Sequence, residues 1–143
     1  MSAAPIGADL AVRVRAEHHR LDELFGVFLG AASAGDAEAA AAAIIAFDDA
    51  LRRHTVLEEE RLFPPAPPGK LVPSPDEDAA AALGRQLRIE HVQIRELSGM
   101  MRRLLAEARD LEGARRLAGG LARRWDAHTA REDAELLGPA SSL

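Results

Sequence analysis

The sequence predicts an all-α fold, an antiparallel up-down-up-down four-helix bundle, on three observations. Hydrophobic residues make up 48% of the 143-residue chain but aromatics only 3%, and much of that apolar content is alanine, the strongest helix former. The β-branched and aromatic residues that strands favour are sparse. Apolar residues recur at helical spacing in four stretches, with mostly short breaks between them. The length suits one domain over 1–143, its bundle core at about 9–138 and a Pro-rich connection at 64–75.

The first helix follows a short lead containing Pro5 and Gly7, with Asp9 as its expected cap. Its inward stripe reads Leu10, Val14, His18, Leu21, Phe25 and Phe28, and small residues at Ser33 to Gly35 end it. Asp36 is placed to cap the second helix, whose stripe is Ile44, Phe47, Leu51, His54, Glu58 and Leu62 before Pro64 stops it. The stretch PPAPPGKLVPSP then holds six of the eight prolines, so it is neither helix nor central strand. Ser74 to Asp78 offers caps and first-turn acids to a third helix, with a stripe of Leu83, Leu87, His91, Ile94, Leu97 or Ser98, and Met101. After a break at Asp110 to Gly113, the fourth helix carries Leu117, Leu121, Trp125, His128, Glu132 and Leu136, and Gly138-Pro139 closes it.

The halves repeat. Adding 74 to His54, Glu58 and Leu62 gives His128, Glu132 and Leu136; adding 73 to Glu17 and His18 gives Glu90 and His91. This suggests pseudo-twofold symmetry about the centre of the bundle. Composition removes several function classes. A net charge of −5 argues against general nucleic-acid binding, and the pairs Arg102-Arg103, Arg115-Arg116 and Arg123-Arg124 are interleaved with acids, as on solvated helix faces. Without cysteine there are no disulfides, thiolate metal sites or cysteine nucleophiles. The N-terminus has neither the basic nor the apolar region of a secretory signal, and no run suits a membrane span, so a cytoplasmic protein without a membrane partner is expected.

Four of the five histidines, His18, His54, His91 and His128, lie on inward stripes, one per helix, and Glu58 and Glu132 each lie one turn beyond a histidine. Buried carboxylates without counter-charge cost about several kcal/mol each. A metal ion neutralises them and uses the imidazole lone pairs. Two metals fit this set better than one, with the glutamates bridging and a position left for solvent or ligand. Imidazole with carboxylate suits iron, manganese or zinc more than calcium or magnesium. His19 is about 100° round the helix from His18 and reads as a flanking residue. Glu17, Glu59, Glu60 and Glu90 read as solvated faces, with contacts behind the histidines open to some of them. Trp125 aligns with Leu51 and reads as core.

These residues resemble the hemerythrin-like HHE cation-binding family: His18 on helix one, His54 with Glu58 on helix two, His91 on helix three, and His128 with Glu132 on helix four. The resemblance covers about residues 10 to 138. It implies a non-haem centre of two iron ions with an oxo or hydroxo bridge, spanned by the two glutamates. The oxygen carriers of that family have a further histidine one turn after the one on helix three; here that place is Arg95. Four histidines leave more open coordination, which favours redox or gas-responsive chemistry or iron handling over reversible oxygen carriage. Ferritin-like bundles use Glu-x-x-His, which does not occur in this chain.

Three function classes follow. The first is a di-iron protein binding or responding to oxygen, nitric oxide or peroxide, or handling iron. The second is a peroxidase or oxidase at the same centre, with no catalytic residue identified beyond the metal ligands. The third is a structural zinc or metal-free interaction module. A small gaseous or peroxide ligand is the expected partner of the first, and a protein partner or homo-oligomer fits any of them.

Overall fold

Aspartates start three of the four helices. In the computed structural model, which describes residues 7–65 and 78–138, α1 is Ala8–Ser33, α2 Ala37–Arg61, α3 Ala79–Ala108 and α4 Leu111–Glu132. Asp36, Asp78 and Asp110 accept hydrogen bonds from the N–H groups of Ala39, Ala81 and Gly113, satisfying donors that the first turn leaves open. Helix α1 departs from the expected cap. Its N-cap is Gly7, without a side-chain bond, and Asp9 lies inside the first turn, where a carboxylate still complements the helix dipole. The first turn of α3 carries no acid; Ser74 to Glu77, like most of the Pro-rich connection and Pro139, lie outside the described residues.

Helix α2 ends at Arg61, before Pro64, and Arg88 of α3 donates to the carbonyls of Glu59 and Pro64 at that end. The turn from α3 into α4 passes through Arg109, whose φ of 51° is left-handed and lets its N–H reach the carbonyls of Leu104 and Leu105. After Glu132 the chain widens into a π-helical turn, Asp133–Leu137, which Arg15 of α1 holds by donating to the carbonyls of Leu137 and Gly138.

The stripes face inward much as their spacing predicts. Val14, Leu21, Phe28, Ile44, Phe47, Leu51, Leu87, Ile94, Met101 and Leu121 are essentially inaccessible. Hairpins α1–α2 and α3–α4 pack along their lengths, α2 packs against α3, and α1 meets α4 only sparsely. At the expected Leu97-or-Ser98 position it is Ser98 that is buried, donating at 2.7 Å to Asp48, a buried acid that the stripe pattern does not mark. Burial raises the Asp48 carboxyl, but bonds from Ser98, Arg52 and Arg102 outweigh it and hold the group below its ordinary value.

Gly84 marks the closest approach of α3 to the end of α2, since a Cβ there would collide with the Pro64 carbonyl. Backbone cannot yield as a flexible side chain does, so Gly84→Ala should destabilise the fold by about 1–3 kcal/mol in chemical denaturation. A melt unchanged by this substitution would show that the helices separate freely at that point.

Candidate metal centre

The 3.6-residue period places His54 above Glu58 and His128 above Glu132, and the antiparallel packing brings His18 and His91 to the same layer. All six sequence-predicted residues converge there, each at most 8% exposed. They form two groups of four potential ligands, His18, His54, Glu58 and Glu132, and Glu58, His91, His128 and Glu132, with the ligand atoms of each group within 4.8 Å of one another. The carboxylates belong to both groups and divide their oxygens between them. Glu58 Oε2 lies 3.2 Å from His18 Nε2 and 3.0 Å from His54 Nε2, while Oε1 lies 2.9 Å from His91 Nε2. Glu132 Oε1 lies 3.0 Å from His18 Nε2, and Oε2 lies 3.2 Å from His128 Nε2.

Carboxylates behind the imidazoles set their orientation. His54 Nδ1 donates to Glu17 at 2.7 Å, His91 Nδ1 to Glu59 at 2.9 Å and His128 Nδ1 to Glu90 at 2.7 Å. A carboxylate acceptor at Nδ1 puts a proton there and turns Nε2 towards the centre, the arrangement that supports metal-bound histidine elsewhere. Glu59 is itself held by Arg95, and Glu90 by Gln86 and Arg131. The His91 imidazole is the main influence that lowers the Glu59 carboxyl. Burial opposes this at Glu90, where contacts with His128 and then Gln86 prevail and the carboxyl is again lowered.

Reading Glu17, Glu59 and Glu90 as solvated faces is therefore corrected, whereas Glu60 is exposed. The sequence held a signal in the acid that precedes the histidine in both halves, Glu17 and Glu90, 73 residues apart. His19 is exposed beside the buried His18. Trp125 is core and site at once: its ring lies 5.4, 6.0 and 6.3 Å from those of His18, His54 and His128, and its indole N–H donates to Asp22. On the opposite side Phe63 packs on His91 at 4.7 Å.

The donor set fits a metal. His54 Nε2, His128 Nε2 and both Glu132 oxygens are buried without a hydrogen-bond partner, although carboxylate oxygens and imidazole nitrogens stand close together. Short approach without hydrogen-bond alignment is what remains when donors converge on a common point. Without a cation, protons must take its place. Burial disfavours the charged form of His18, but contacts with Glu132 and then Glu58 overcome it and raise the imidazole from 6.5 to about 9. The same balance, with Glu90 added, raises His128 to about 11. At Glu58 burial pushes the carboxyl up, and four surrounding imidazoles push it far below its ordinary range.

The hemerythrin HHE cation-binding domain model matches residues 9–140. The chain belongs to that family. No curated protein and no solved structure matches it in the other two comparisons. Membership of the HHE family implies cation binding, and no helix among the described residues is long and apolar enough to cross a membrane.

Two outcomes test this electrostatic arrangement. Because the folded values of His18 and His128 lie above the unfolded value, their contribution to the metal-free fold is complete below about 6.5 and is lost as pH rises through 9 and towards 11. Thermal melts of metal-stripped protein should therefore show a falling Tm over that range, and a flat profile would contradict the shifts. Glu90→Gln should retain the helical circular dichroism while weakening metal retention by roughly 10-fold or more in competition with a chelator.

Proposed function

We propose that the protein holds two iron ions between His18, His54, His91, His128, Glu58 and Glu132, and uses them to bind or respond to oxygen, nitric oxide or peroxide. The observation that carries this reading is the division of each buried carboxylate between two histidine pairs. One pair is His18 with His54 and the other His91 with His128. A single ion would need only one such group; two groups sharing Glu58 and Glu132 suit two ions with bridging carboxylates.

Mixed imidazole and carboxylate donors favour iron over the hard cations that prefer oxygen alone. Iron bound there supplies a redox couple and coordination positions for a small ligand. The chain's own contribution is a prearranged, largely buried pocket. Glu17, Glu59 and Glu90 fix three imidazoles, and Trp125 and Phe63 wall the site on opposite sides. Arg95 stands where the oxygen carriers have their additional histidine, and its guanidinium is engaged with Glu59 and Thr55 rather than pointing a donor lone pair at the site.

Protein purified without added metal should contain close to two iron ions per chain and show oxo-to-ferric charge-transfer absorption. His54→Ala or Glu132→Ala should abolish the bands. Zinc in place of iron, or bands that survive both substitutions, would reject the reading.

A further inference from the structure

The internal repeat supplies a standard against which each half of the site can be judged, and one edge fails it. In one half Glu59 follows the ligand Glu58, accepts from His91 Nδ1 and is clamped by Arg95. Adding 74 to Glu59 gives Asp133, and subtracting 73 from Arg95 gives Asp22. The symmetry-related histidine is His18. Among the described residues no carboxylate stands on its Nδ1, and the Asp133 carboxylate makes no hydrogen bond or ion pair, although its backbone N–H continues the helix. Asp22 accepts from Trp125. His18 is accordingly the most accessible of the four imidazoles, at 8% against 2% for His54 and none for the others.

A cavity of about 220 Å³ reaches His18 here, lined by Arg15, His19, Asp22, Thr129 and Asp133. It lies between α1 and α4, the neighbouring pair that packs least closely. A second cavity, of about 180 Å³, touches Glu17 and His54, but there the Glu17 carboxylate occupies His54 Nδ1.

We propose that the centre exchanges metal ions with solvent through the α1–α4 cavity at His18, and that Asp133 keeps this edge open. Aspartate is one methylene shorter than the glutamate at the equivalent place, and it sits in a π-helical turn that Arg15 ties to α1. His18 is thus the ligand that detaches first, and its departure opens coordination without disturbing the three imidazoles that have carboxylate supports. The two carboxylates at the mouth, Asp22 and Asp133, attract a divalent cation on the way in. This inference rests on the metal-binding reading above.

The test uses the full chain, stripped of metal and reloaded with ferrous iron, with iron content measured before an excess of chelator is added. Release is then followed by absorption of the iron–chelator complex. Asp133→Glu, at an exposed position where folding tolerates the change, should slow release by about 10-fold, the scale of a carboxylate support behind a histidine ligand. Thr129→Met, which narrows the same cavity, should also slow it. Ala50→Met, which obstructs the second cavity, should leave the rate unchanged. Release that is insensitive to both Asp133→Glu and Thr129→Met, or that slows only with Ala50→Met, overturns the proposal. A wild-type chain that takes up no iron overturns it by a different route, because then the metal reading itself fails.

Discussion

Glu58 and Glu132 are entirely removed from solvent, and nearly everything at the centre of the bundle answers to that fact. Two ionised carboxylates in an apolar interior cost about several kcal/mol each unless opposite charge is supplied at close range. No lysine or arginine reaches them among the described contacts; four imidazoles do. In the metal-free protein, His18 and His128 hold extra protons against their own burial, and two such cations balance two carboxylates. A cation held there would take the place of those protons, so the same residues would serve as counter-charge in one state and as ligands in the other.

The charge arrangement spreads outward in layers. Behind three imidazoles stand Glu17, Glu59 and Glu90, and behind these stand Arg13, Arg95 and Arg131 in turn. Positive and negative groups alternate from the centre to the surface, so each buried group has a partner of opposite sign. The sequence repeat generates this pattern twice, but imperfectly. Replacing Glu59 and Arg95 by Asp133 and Asp22 in the other half removes an entire radial line of support behind His18. An approximate symmetry thus yields a closed face and an open one from nearly the same local sequence.

The six central residues were legible in the sequence because helical periodicity acts directly on them. Four-residue spacing and one histidine per stripe place them inward without any knowledge of neighbouring helices. Glu17, Glu59 and Glu90 were not, because each is adjacent in sequence to a site residue and so lies on the flank of its helix. Whether a flank residue faces water or the next helix depends on the packing between helices, which periodicity within one helix does not encode. Asp48 escaped for the same reason, its neutralising partners lying on α2 and α3 together. Asp9 and Gly7 differ by two residues from expectation, the usual uncertainty of a helix end whose first turn is exposed. Trp125 was read as core, and its bulk does fill the bundle; its contacts with three imidazoles follow from the symmetry-breaking exchange of Leu51 for an indole in the second half.

That indole also gives the molecule an optical property. Trp125 is the only tryptophan, and the chain has no tyrosine. Essentially all near-ultraviolet emission thus originates from one ring, packed edge-on against His18 and His54 in the wall of the centre. An open-shell transition metal bound at that distance would provide a fast route of non-radiative decay, so binding of such an ion would lower the emission of Trp125. Occupancy by such an ion would be readable in the protein's own emission, without any label.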